Sequence, residues 1–318
     1  MNDLSESILW AHNCLRDCGH QEYDTPQVIR NVPWSTVHCF ETSKGLFFLK
    51  SMASPFAIES TLLRFLFESV TQNIPFVIAE NHKLQCFLMK DAGICLRGIL
   101  KEKFDASYFG QIFKIYADIQ IGCIPYVDKL IEIGVNDWRL KNLPALYQDF
   151  INQESLLKTD GITATEIEIL KKLAPRFQFL CEELSDFCIP ETIEHGDFHD
   201  NNILIKNRII TINDWGDASI SHPFFSFVSF FNSARRHHNL NDSDDIYKNT
   251  REVFLSKWKD YGTENILVKA LELAKTIRYF VFAFSFSRIK LCSNIDQYPE
   301  FNGYIAGALR DLIKEIID

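Results

Sequence analysis

Apolar residues recur at three- and four-residue intervals from Leu4 through Ile8, Trp10, Ala11 and Leu15, the spacing of one helical face. Gly19 follows as a stop. From Pro26 the texture changes. Short β-rich runs at Val28-Ile29, Val37 to Phe40 and Leu46 to Lys50 are separated by Asn31 to Thr36 and by the turn Ser43-Lys44-Gly45, and they predict three antiparallel strands. Ser54-Pro55 then reads as a helix start, a capping hydroxyl before a first-turn proline, with the helix running to about Ser69. Its inward stripe is Ile58, Leu62, Leu63, Leu66 and Val70. Glu59 lies at the edge of that stripe and Glu68 further round. Two more strands are expected, Ile74 to Glu80 and Leu84 to Met89.

Beyond Asp105 the period is helical almost throughout. Tyr108 to Gln120 has a wide apolar face, and residues 143–158 and 163–184 repeat the pattern, with Pro175 marking a kink or break in the second. Residues 247–260, 264–290 and 302–317 complete a helical half. Between them, Arg235-Arg236-His237-His238 and Asn241 to Asp245 read as a solvated loop. One stretch breaks the helical rule. Ile203-Leu204-Ile205 and Ile209 to Ile212 are two β-rich runs about Asn207-Arg208, a hairpin signal with weaker turn chemistry than Asn-Gly. A hairpin joins its ends, so Asn202 and Asp214 are expected side by side at its mouth.

Composition narrows the class. In 318 residues, 47% are hydrophobic and 27 are Phe, ample for a core in one large domain or two lobes. A net charge of −9 makes nucleic acid a poor partner and would suit a cationic small molecule. The nine cysteines include no C-x-x-C pair. Cys14 and Cys18, with His12 and His20 nearby, lack the tight paired spacing of a zinc site and read as free thiols, which points to the cytoplasm. MNDLSESILW has no basic region followed by a long apolar run, so no signal peptide is expected. Tyr279 to Ser287 is too short to span a bilayer and reads as a core helix; no membrane partner is expected.

The candidate chemistry sits in residues 194–217, EHGDFHDNNILIKNRIITINDWGD. Asn202 and Asp214 offer hard oxygens, which suit Mg²⁺ completed by water and phosphate oxygens. Asp197, in the preceding loop, can accept a proton from an attacking hydroxyl. An Asp, an Asn five residues later and a second Asp are the division of labour of phosphoryl-transfer catalysis in kinases. HGDFHDNNIL followed by NDWGDA resembles the aminoglycoside phosphotransferase and choline kinase-like family, whose members share the protein-kinase-like fold and phosphorylate small molecules.

The resemblance implies an α+β, bilobal architecture: an antiparallel-sheet N-terminal lobe over residues 1–90, a hinge at 91–93 and a larger helical lobe over 94–318. It implies ATP as phosphoryl donor, with GTP open because a hinge reads the base through backbone groups, here those of Met89, Lys90 and Asp91. Lys50 matches the family's phosphate-binding lysine, with Glu59 as its ion-pair partner. No G-x-G-x-x-G covers the phosphates, so Ser35 and Thr36 stand in as candidate contacts. His195 and His199 flank Asp197 as supporting residues. Asp217 is open between holding metal or substrate and bracing the loop. Where the family usually has an acid before Pro223 and another three residues after it, this chain has His222 and Ser226. The implied activity is transfer of a γ-phosphoryl group to a small-molecule hydroxyl. A non-catalytic nucleotide binder that regulates a partner is the alternative.

Overall fold

Alternating runs in the first hundred residues fold into a five-stranded antiparallel sheet of β1 (Gln27–Val32), β2 (Ser35–Thr42), β3 (Gly45–Met52), β4 (Val77–Asn81) and β5 (Cys86–Lys90), in the order β1-β2-β3-β5-β4. The computed structural model describes residues 4–21, 24–292 and 298–317; the first three residues of the N-terminal stretch read above lie outside them. Two compact units divide the chain. Unit 1 takes its residues from 1–98, 201–216 and 289–297, and unit 2 from 99–200, 217–288 and 298–318.

In unit 1, α1 (Leu4–Asp17) lays Ala11 and Leu15, both fully buried, against Phe40, Phe47, Leu49 and Leu88 of the sheet. The first turn is tighter than the loop 31–36 expected from sequence. Asn31 pairs with Thr36 and Val32 with Ser35, so only Pro33-Trp34 connects the strands, and Ser35 and Thr36 are strand residues. β-branched Val32 and Thr36 favour that extended backbone. The helix expected from Ser54 is split into a 3₁₀ turn, Ser54–Phe56, and α2 (Glu59–Ser69). Ser54 caps neither, because it is itself the first residue of the 3₁₀ turn, with Ala53 at the N-cap, while Ile58 precedes α2; its hydroxyl accepts from Gln85 Nε2 at 2.8 Å.

A second sheet of unit 1 pairs β6 (Ile94–Cys95), β7 (Ile203–Lys206) and β8 (Ile209–Ile212) in the order β8-β7-β6. The β7–β8 hairpin turns on Asn207 and Arg208 at φ 51° and 66°, the left-handed pair that matches strand twist. Gly93, at φ +108°, lies so close to β7 that a Cβ would fall 2.1 Å from the Ile205 carbonyl oxygen.

Unit 2 is built from α3 (Ser107–Cys123), α4 (Leu143–Ile151), α5 (Ala164–Ser185), α6 (Phe225–His238), α7 (Asp245–Lys257), α8 (Glu264–Ser287) and α9 (Tyr304–Ile317). Three short strands, Asn136–Asp137, Ser219–Ser221 and Thr192–Glu194, form its small sheet with Ser219–Ser221 in the middle. α5 starts on a Thr163–Glu166 capping box and runs through Pro175 unbroken. The helix expected over 143–158 stops at Ile151, and Glu154–Thr159 begins afresh after Asn152-Gln153. Arg235 to His238 are the last turn of α6 rather than a loop, four basic side chains at the end where the helix dipole favours cations. The core is aromatic: Phe113 meets Phe198, Phe227, Phe230 and Phe254 at centroid distances of 4.9 to 5.5 Å. Among the described residues no helix is long and apolar enough to cross a membrane. All nine cysteines are free thiols.

Candidate active site

Lys50 rises from β3, a strand paired on both sides, and is 6% exposed. Its ammonium meets Glu59 Oε2 at 2.5 Å and Asp214 Oδ1 at 2.5 Å. Glu59 opens α2 and is 1% exposed. Its second oxygen accepts the Trp215 backbone N–H at 3.2 Å, so one buried carboxylate holds both the lysine and the segment that carries Asp214. Trp215, fully buried, donates its indole N–H to Ile212 at 2.9 Å. Burial works against the Lys50 ammonium, but Asp214 and Glu59 outweigh it and hold its pKa above that of an ordinary lysine. Burial pushes the Glu59 carboxyl up, against the pull of Lys50.

Asp214 is a non-glycine residue at φ +68°, a costly backbone region that clusters at functional sites. Strand pairing reaches the hairpin mouth, where Asn213 N–H donates to the Asn202 carbonyl at 2.8 Å, so Asn202 lies opposite the residue before Asp214. Arg30 of β1 reaches the other Asp214 oxygen, Oδ2, at 3.4 Å. Sequence reasoning passed over Arg30; the signal was a lone cation in an apolar run entering the first turn. Of the remaining unit 1 candidates, Ser35 and Thr36 are buried in β2, and Thr36 donates its hydroxyl to Asn31 Oδ1 at 3.1 Å. Met89 lies in β5; the Lys90 and Asp91 amides donate to Phe76 and Leu46 at 3.1 and 3.2 Å. The Asp91 carboxylate pairs with Lys206 at 2.8 Å.

In unit 2 the Asp197 loop leaves the strand Thr192–Glu194. Gly196 has φ +82°, and a Cβ there would fall 2.4 Å from the Asp217 carbonyl oxygen, so glycine is required for this approach. Phe198 anchors the loop by stacking on Tyr116 at 4.1 Å. Asp197 itself keeps 46% of its side chain exposed and contacts His199 Nε2 at 3.2 Å. Its backbone N–H donates to His195 Nδ1 at 3.3 Å. Asp217 accepts from Ser285 at 3.1 Å and from Arg288 at 3.5 Å.

The loop backbone is held by groups that sequence reasoning did not single out for that work. Glu194, fully buried, accepts the Gly196 N–H at 2.8 Å and the Ser226 hydroxyl at 2.5 Å. Ser226 lies 2.6 Å from the Tyr116 hydroxyl, which accepts the His195 N–H at 3.0 Å. Since Ser226 gives its proton to Glu194, donation runs from His195 N–H through Tyr116 and Ser226 to the carboxylate. Arg278 of α8, also buried, donates to the Gly196 carbonyl at 3.0 Å and to Ser229 at 2.8 Å. Burial pushes the Glu194 pKa up, and the Arg278 charge opposes it. His222 is fully buried; burial pushes its pKa down to about 3, and its Nδ1 accepts the Phe224 N–H at 3.3 Å. Asp200 is buried between His238 at 2.8 Å and Ser233 at 3.0 Å.

Residues 128–250, which contain Asp197, Asn202 and Asp214, match the family model described as the phosphotransferase enzyme family. This segment is similar to that family. No curated protein matches the chain by sequence. Solved structures similar to this chain include an ethanolamine kinase from Plasmodium vivax, 12% identical over 92% of this chain and 84% of that chain, with TM-score 0.62. A choline kinase from Streptococcus pneumoniae is 13% identical over 99% of each chain, with TM-score 0.61. An amicoumacin kinase solved with AMP-PNP and Ca²⁺ is 11% identical over 98% of this chain and 95% of that chain, with TM-score 0.60. What this chain shares with them is the fold: an antiparallel-sheet N-terminal part and a mostly helical C-terminal part.

The donors of unit 1 fit a magnesium nucleotide. Among the described residues no group of three or more His, Cys, Asp or Glu could cage a metal ion. Asn202 and Asp214 instead offer one amide and one carboxylate oxygen, a pair suited to a Mg²⁺ that keeps waters and phosphate oxygens. Lys50 and Arg30 place two cations on the two oxygens of Asp214.

Proposed function

We propose that the chain is a small-molecule kinase that transfers the γ-phosphoryl group of ATP to a hydroxyl of an aminoglycoside-like compound, an amino alcohol or a sugar. The observation that carries this reading is the buried contact of Lys50 with both Glu59 and Asp214, in a chain whose Asp197 and Asn202 fill the other positions of the phosphotransferase motif. Asn202 and Asp214 would hold Mg²⁺. Lys50 binds phosphate oxygens, and Glu59 fixes its position. Met89, Lys90 and Asp91 flank the base, and Ser35 and Thr36 shape the end of the first turn. Asp197 takes the hydroxyl proton onto its carboxylate as the acceptor oxygen attacks the γ-phosphorus and the bond to the bridging β-phosphate oxygen breaks, releasing ADP; His199 orients the Asp197 carboxylate. Asp217 braces the loop from its contacts with Ser285 and Arg288. Bound Mg-ATP supplies the phosphoryl group and the metal charge that neutralises it; the protein supplies positioning and electrostatics. No observation favours the non-catalytic binder.

The test is ADP release from Mg-ATP across aminoglycosides, amino alcohols and sugars, with Asp197→Asn alongside. Acceptor-dependent release should fall by about 10²- to 10⁴-fold in kcat in the variant, with Mg-ATP binding by calorimetry unchanged. Wild-type turnover in Asp197→Asn would remove Asp197 from the mechanism.

A further inference from the structure

The first turn of this chain cannot cradle phosphates in the manner of a glycine-rich loop. It is two residues long, Pro33-Trp34; Pro33 has no N–H, and no glycine occurs between Gly19 and Gly45. Positive charge for a polyphosphate must then come from side chains. Lys50 is one source, but it is 8% exposed at its side chain and bound by two carboxylates.

We propose that Arg30 is a second phosphate-binding residue of the nucleotide site, contacting the β- or γ-phosphate from β1; this rests on the kinase reading above. Four observations converge on it. Its guanidinium lies 3.4 Å from Asp214 Oδ2 while Lys50 sits on Oδ1, so the two cations flank one carboxylate. A β-bulge falls at this point: Val28 pairs with His38 and Arg30 with Val37, leaving Ile29 as the extra residue. Bulges re-aim side chains and are enriched beside active sites. The Arg30 side chain is 40% exposed, and its guanidinium carries five N–H donors in a fork that matches phosphate, of which the Asp214 contact uses one. Its face lies 5.9 Å from the Trp34 ring, on the turn itself, which restricts its swing.

Charge counting gives the same answer. Lys50 and Arg30 balance Glu59 and Asp214. Without Arg30 these side chains carry one net negative charge, and bound Mg²⁺ would be the sole excess positive charge facing the polyanion. Because Arg30 stands on an edge strand at the rim of the cluster, replacing it removes a cation without opening the core.

The experiment is calorimetric titration of the full chain with Mg-ATP, Mg-ADP and AMP, for wild type, Arg30→Ala and Arg30→Lys, with thermal melts of each. The expected result is a loss of about tenfold or more in Mg-ATP affinity in Arg30→Ala, with AMP affinity within about twofold of wild type. Arg30→Lys should recover part of the loss. Equal losses for all three nucleotides, no change, or tighter Mg-ATP binding through an unmasked Asp214 would overturn the role of Arg30 alone. A wild-type chain that binds no nucleotide would overturn the kinase reading and this proposal with it.

Discussion

The two halves of the motif are held by different forces. In unit 1, Lys50, Glu59, Asp214 and Arg30 form an ionic cluster in which each charge faces an opposite one. In unit 2, the Asp197 loop is held mainly through backbone groups: Gly196 N–H by Glu194, Gly196 C=O by Arg278, and His195 N–H by Tyr116. A buried ion cluster is sensitive to losing any one member, because the partner is left charged and desolvated. A hydrogen-bonded relay degrades more gently, since a neutral replacement can still donate or accept. Charge thus positions the groups assigned to metal and phosphate, and hydrogen bonding fixes the shape of the loop that presents Asp197.

Three experiments separate these modes. The largest effect is expected from Lys50→Met, which leaves Glu59 buried without its cation. Destabilisation of about 3–5 kcal/mol is expected by urea unfolding, and a cost below about 1 kcal/mol would mean the cluster is not held by charge. The second uses pH. His222 has its pKa lowered from 6.5 to about 3 by burial, so the unfolded chain binds its proton first. Stability from this residue is therefore complete above pH 6.5 and drains away as pH falls toward 3. Between pH 7 and 5 the wild type should lose ~2 kcal/mol more than His222→Asn; parallel pH profiles would show that His222 does not stay neutral. The smallest effect is expected from Glu194→Gln, which keeps an oxygen for one donor and removes the charge. A cost of about 1–2 kcal/mol is expected. A cost equal to that of Lys50→Met would show that the Glu194–Arg278 charges, not the hydrogen bonds, carry unit 2.

Much of this fold is readable because its signals are local. The strands, α1 and the long helices follow from periods of two and 3.6, and the β7–β8 hairpin from two β-rich runs around Asn207-Arg208. The Lys50–Glu59 pair is legible because Glu59 borders an apolar stripe nine residues downstream of a lysine that closes an apolar β-rich run. What stays hidden is long-range. Ser226 and Glu194 are 32 residues apart, Gly196 and Arg278 82, and Tyr116 and Ser226 110. No spacing rule links such positions. His222 and Ser226 read as departures from the family pattern, yet Ser226 leans on a carboxylate supplied by Glu194. Local signals also misled by one position: Ser54 looks like a cap, but the turn begins at Ser54 itself, with Ala53 before it.

The β7–β8 hairpin has a consequence for the order in which the chain acquires its site. Asn202 and Asp214 are separated by only twelve residues, and a two-residue turn with both φ values positive already sets their register. Closing that loop costs roughly 2 kcal/mol less chain entropy than bringing Arg278 to Gly196 across 82 residues. The hairpin mouth is therefore the part of the motif that a nascent or refolding chain assembles most cheaply, while the Asp197 loop waits for α8 to be made and docked.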